Sequence, residues 1–256
     1  MGRWKDLGKR FVILFVGFFL LALASVFMKQ ANIGLGPWDA LHDGISRQTP
    51  LTYGQASMAV GLLIVVVDFL CKERLGFGTL LNIFVIGLLI DLVLEAGLIP
   101  KMSGAFLPGL LYGFCGMVLM ALGIWLYIGA AMGAGPRDSL MVILTRRTGK
   151  PVGLCRATVE GVALVLGFLL GGQVGLGTVV FTLLGGPVMQ VVFRLVHFDV
   201  KAVHHDTFKD TLRQCIPKKG PEPGRPYLSL PDHTQPAFVL LPGAGAQYGC
   251  SVTLVR

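Results

Sequence analysis

The pattern Gly-x-Gly-Pro-x-Asp occurs twice in this chain, at residues 34–39 and 133–138, and the two copies stand 99 residues apart. Aligned at that offset without a gap, residues 17–87 and 116–186 share 21 identities in 71 pairs. Apolar composition alone raises such a score, but it does not supply matched Pro37 and Pro136, Asp39 and Asp138, Arg47 and Arg146, Gly54 and Gly153, or Gly78-Thr79 and Gly177-Thr178. A repeat of this kind restricts the fold strongly, because each copy is expected to form one structural unit.

Apolar residues make up 54% of the 256 and charged residues 14%, where a soluble domain carries about 25% charged. Apolar stretches near 11–30, 54–71, 77–98, 108–131, 152–171 and 176–197 approach the roughly 20 helical residues that cross a hydrocarbon core. Backbone polar groups in lipid must be paired within a segment, and no barrel-like alternation is present, so the spans are expected to be helices. The expected fold is therefore an all-α integral membrane protein with about six transmembrane helices, built as two three-helix repeats over 10–98 and 105–198. A tail over 199–256 follows. Residues 199–216 offer a loose apolar stripe suited to a surface helix, and the Pro- and Gly-rich remainder reads as partly disordered. The basic N-terminus before an apolar run imitates a secretory signal, but residues 17–31 align with mid-chain 116–130, which favours a retained helix.

Net charge is +8, and its distribution matters more than its size. With the N-terminus inside, inner segments hold Arg3, Lys5, Lys9, Arg10, Lys72, Arg74, Arg137, Arg146, Arg147 and Lys150, while outer ones hold Lys29, Arg47 and Lys101. This is the positive-inside asymmetry, so both termini are expected in the cytoplasm of a bacterial cell and the charge needs no nucleic-acid partner. Three spans per repeat then force the second copy to enter the membrane from the opposite side. Inverted repeats of this kind are common in secondary transporters, whose sites lie at the repeat interface. Cys71, Cys115, Cys155, Cys215 and Cys250 are scattered, without metal-ligand spacing, and read as free thiols.

Each signature reads as a helix start. Proline suits the first helical position, an acid two residues later suits the positive end of the dipole, and Gly34 and Gly36, like Gly133 and Gly135, permit a sharp turn. Short helices are expected over about 37–48 and 136–147, either re-entrant or lying at the interface. Trp38 stands in the first copy where Arg137 stands in the second. A helix start with Arg137 nearby can face an anionic group, whereas the plainer reading is a cap that turns the chain. The later Gly76-x-Gly78-Thr79 and Gly175-x-Gly177-Thr178 are too short for a phosphate loop and read as close helix contacts.

Ionisable residues within spans are functional candidates, because burying charge in lipid is costly. Glu160 is the deepest, with Arg156 one turn earlier as a ready ion-pair partner. Asp91 and Glu95 fall late in their span and read as reaching the outer interface. Neither a nucleophile constellation nor a metal cluster stands out, so no catalytic residue, cofactor or enzymatic activity is expected.

The doubled Gly-x-Gly-Pro-[Trp/Arg]-Asp, with Gly-x-Gly-Thr about 40 residues later, resembles the YczE-like bacterial membrane proteins, related to the YitT group, over about residues 10–198. The resemblance implies a multispanning inner-membrane protein and brings no established catalytic residues. Two functions are expected: a transporter-like protein for a small solute, or a non-transporting partner that docks a cytoplasmic enzyme through its basic inner loops. The candidate site residues are Gly34, Gly36, Pro37, Trp38, Asp39, Gly133, Gly135, Pro136, Arg137, Asp138, Arg156 and Glu160.

Overall fold

The computed structural model describes residues 2–71, 76–132 and 135–198; Gly133 and the expected tail over 199–256 lie outside them. Among the described residues there are eight α-helices and no strand: α1 (Gly2–Gln30), α2 (Pro37–Gln48), α3 (Tyr53–Leu70), α4 (Phe77–Glu95), α5 (Phe106–Gly129), α6 (Pro136–Thr148), α7 (Val152–Leu169) and α8 (Leu176–Leu195). All but α2 and α6 are long and apolar enough to cross a membrane. Both ends of α7 fall 99 residues after those of α3, and α6 and α8 begin 99 residues after α2 and α4.

Local chemistry explains the breaks. Pro37 and Pro136 open α2 and α6 behind Gly36 and Gly135, where the missing N–H costs nothing. Matched threonines close them: Thr49 Oγ1 donates to Ile45 O at 2.8 Å and Thr148 Oγ1 to Leu144 O at 2.7 Å. Thr52 and Gln55 form a capping box at the head of α3. Pro187 sits inside α8, just after Gly185-Gly186, and so leaves a gap in the helix's own hydrogen bonding.

At the centre α1 and α5 run antiparallel. Gly17 of α1 lies against Gly123 and Tyr127, and Gly116 of α5 lies against Ala24 and Met28, the same contact with the repeats exchanged. A Cβ at Gly17 would fall 2.9 Å from Tyr127 N, and one at Gly116 2.7 Å from Met28 Cγ. Lipid tails are as apolar as leucine, so close approach of this kind, rather than a hydrophobic drive, holds such helices together. Around this pair α4 packs on α1 and α8 on α5, while α2 packs on α7 and α6 on α3. The Gly-x-Gly-Thr segments open α4 and α8 and make close contacts, though with the loops that follow α5 and α1 rather than with a neighbouring helix as expected. Gly78 N donates to Met132 O at 2.8 Å and Gly177 N to Ile33 O at 2.9 Å.

One helix pairing has no counterpart. α3 packs on α4, but among the described residues α7 and α8 form no comparable contact. Gly54 and Gly87 press together so closely that a Cβ on Gly54 would overlap the Gly87 carbonyl oxygen. Asp91 fastens the same seam, accepting from Gly54 N at 2.7 Å and from the Thr52 hydroxyl. This corrects the expectation that Asp91 merely reaches the interface. Their equivalents Gly153 and Gly186 have no atom within 4 Å of an added Cβ. Arg10, expected only as a topological charge, also ties the chain together, donating to Ala130 O at 2.9 Å and Ala131 O at 3.1 Å, at the negative end of α5.

Candidate functional site

The chain leaves α1 through a turn at Asn32, φ 56°, and Gly34, φ 124°. Gly34 is required both for that φ and for space, since a Cβ there would lie 2.7 to 2.9 Å from Thr178 and Gly175. Gly36 and Gly135 differ from the expectation: both take φ −63°, which any residue adopts. The turn is tied to the start of α8 by Ile33 and to Gln173, whose carbonyl accepts from Leu35 N at 2.9 Å.

The middle of α2, from Asp39 to Gly44, is buried. It is admitted closely by α7, where a Cβ on Gly167 would meet Ala40 C at 2.6 Å. Burying so polar a segment requires partners, and they are present. Asp43 accepts from Lys29 Nζ at 2.5 Å, Arg47 Nε at 2.8 Å and Gln173 N at 3.0 Å. Burial pushes its carboxyl up, yet Lys29, the Gln173 N–H and Arg47 together outweigh that and hold it below the usual carboxylate range. Asp39 accepts from the Tyr53 hydroxyl at 2.8 Å, so it bridges α2 to α3 rather than only complementing a dipole. Burial raises its proton affinity, opposed by Arg137, Tyr53, Lys29 and Ser25. His42 is driven well below its ordinary value by burial first, then by Arg137 and Lys29, all of which disfavour the charged imidazolium.

From the other repeat, α6 delivers Arg137. Its guanidinium lies over the Trp38 ring with Cζ 5.1 Å from the centroid, and Nη2 stands 3.5 Å from His42 Nε2. Trp38 and Arg137, which occupy one matched signature position and differ between the copies, thus come together. They border a cavity of about 320 Å³, within the size range of small-molecule sites. Gly36, Pro37, Asp39 and Gly135 also border it, as do Arg156 and Glu160, which bind each other at 2.8 Å. Of the other candidates, Gly34 shapes the turn behind it, Pro136 and Asp138 occupy the first turn of α6, and Gly133 is outside the described residues. Ser25, Ser57 and Asn82 reach the cavity without having been singled out. Their signal was available, since each is a polar side chain inside an apolar span.

Six long apolar helices packed around this cavity define a multi-pass membrane protein. More narrowly, the chain belongs to the family of unknown function DUF6198, whose model matches residues 8–194. It is 34% identical over 198 residues to an uncharacterised protein of Haemophilus influenzae, covering 76% of this chain and 89% of the relative. It is also 32% identical over 188 residues to the uncharacterised membrane protein YczE of Bacillus subtilis, covering 73% and 86%. The Bacillus subtilis protein YyaS is 27% identical over 186 residues, covering 72% of this chain and 92% of that one. No solved structure matches.

Proposed function

We propose that this protein is transporter-like and binds a small solute in the cavity between α2 and α6. The observation that carries this reading is the joining of both signature helices, one from each repeat, at a single cavity containing Asp39 and Arg137. Antiparallel α1 and α5, with equivalent contacts exchanged between them, support an inverted relation of the two halves. In that arrangement α2 and α6 are re-entrant half-helices, the burial of α2 within the protein making so polar a segment tolerable at membrane depth, and both termini are cytoplasmic. The seam between α3 and α4 is closed while the equivalent gap between α7 and α8 stands open beside the cavity. Exchanging those two conditions would carry the cavity from one side to the other, with Gly185-Gly186-Pro187 as the place where α8 bends.

Flux measurements on the purified protein in liposomes, across a panel of small metabolites and protons, test the reading. Movement of at least one solute is expected in the wild type, falling to background in Arg137→Ala and strongly reduced in Glu160→Gln. No movement of any panel member, together with a cytoplasmic enzyme that co-purifies through Arg146, Arg147 and Lys150, would favour the docking function instead.

A further inference from the structure

The charged groups around the cavity are not equally occupied. Asp39 accepts from the Tyr53 hydroxyl at 2.8 Å, and Arg156 and Glu160 bind each other at 2.8 Å. Arg137 differs. A guanidinium carries five N–H donors, yet the hydrogen-bond contact of this one is the 3.5 Å approach to His42 Nε2, long for such a bond. Among the described side chains no carboxylate forms an ion pair with it. His42 supplies no negative charge, and Asp39 acts on the guanidinium only from beyond ion-pair distance.

The Trp38 ring attracts the guanidinium, whose Cζ stands 5.1 Å from its centroid, and the N–H groups along the guanidinium edge remain without a carboxylate partner. That edge, with two parallel N–H groups, matches a carboxylate or phosphate. The remainder of the wall is largely apolar and adaptable, with Met28, Met117, Met120, Met141, Met189 and Phe181 bordering the space. Methionine adjusts to irregular shapes.

We infer that the cavity takes a small organic oxyanion, its head group on the edge of Arg137 and its carbon skeleton against the methionine wall. This assignment rests on the solute-binding reading above. A water-borne organic acid and an anionic lipid head group share the chemistry, and the test separates them.

The test uses full-length protein in an uncharged detergent, with all five cysteines replaced and one cysteine introduced at a time. Met141→Cys lies one turn after Arg137 on α6 and borders the cavity; Met120→Cys repeats the measurement from α5; Leu51→Cys, on the exposed turn before α3, is the reference. Each is reacted with two methanethiosulfonates, one bearing a sulfonate and one a trimethylammonium group. Relative to residue 51, the cavity cysteines are expected to favour the sulfonate reagent about tenfold or more, as a focused positive site does. Arg137→Gln should remove the preference and Arg137→Lys keep part of it. Preference for the cationic reagent, or a ratio unmoved by Arg137→Gln, would overturn the inference while leaving an accessible cavity. Failure of both reagents at both cavity positions would instead contradict the solute-accessible cavity itself. Added phosphatidylglycerol that slows the sulfonate reagent in the cavity, relative to residue 51, identifies a lipid head group; no slowing identifies a water-borne anion.

Discussion

Gly54→Leu is expected to lower the stability of the protein by about 3 kcal/mol, the upper part of the range for overpacking a tight interface, whereas Gly153→Leu at the equivalent position should cost no more than about 0.5 kcal/mol. The two glycines occupy matched places in the repeats but not matched surroundings. A side chain on Gly54 meets the backbone of Gly87, which no rotamer change can move, and α3 must leave α4. Separation also breaks the bonds from Thr52 and Gly54 to Asp91. Around Gly153 an added Cβ meets nothing within 4 Å. Thermal unfolding in detergent should therefore show a clear loss for Gly54→Leu and near wild-type behaviour for Gly153→Leu. The second variant should fail in the flux assay all the same, because closing α7 on α8 brings that side chain into the seam. Equal losses of stability would mean that the open gap is not a property of the protein in solution.

Asp43→Ala is expected to destabilise by about 3 kcal/mol, the cost of leaving a mostly buried ionic group without its partner. The Asp43 side chain is 4% exposed and that of Lys29 23%. Without the carboxylate, Lys29 and the Gln173 N–H lose their acceptor together. Arg47 is 53% exposed on the same carboxylate, so Arg47→Ala should cost below about 1 kcal/mol. The pH dependence has a definite sign. A carboxyl held below its unfolded proton affinity contributes stability above the ordinary carboxylate range, lost as pH falls through the lower, folded value. Wild type should thus lose stability on the acid side of that range, and the loss should be shallower in Asp43→Ala. Asp39 works in the opposite direction, because its raised affinity means that protonation relieves a cost of folding. Unfolding midpoints between pH 7 and the acid limit, compared across wild type and both variants, check the magnitudes and the signs.

Much of the fold was legible because its causes are local. A run of apolar residues declares a membrane span, and Gly-Pro followed by an acid declares a helix start, so the six long helices and the two short ones fall close to where the repeat places them. Contacts between distant residues were not legible in this way. The burial of Asp43 depends on Lys29, Arg47 and Gln173, the last of them 130 residues away along the chain. Asp91 looked interfacial because its partners Thr52 and Gly54 belong to another helix. Trp38 and Arg137 were visible as a point where the two signatures differ in chemistry, but their meeting depends on how α2 and α6 approach, which no spacing along the chain reveals. Gly36 shows the reverse error, since glycine there is not demanded by its backbone angles.

The opposed insertion of two equivalent halves is the claim on which the shared cavity depends. Leu51 and Lys150 are equivalent exposed positions, each just beyond a short signature helix. Single cysteines at these positions, in a cysteine-free background, can be labelled with a membrane-impermeant maleimide in intact spheroplasts and again after lysis. Labelling of residue 51 before lysis and of residue 150 only after it is the predicted result; labelling of both from the same side would contradict the account.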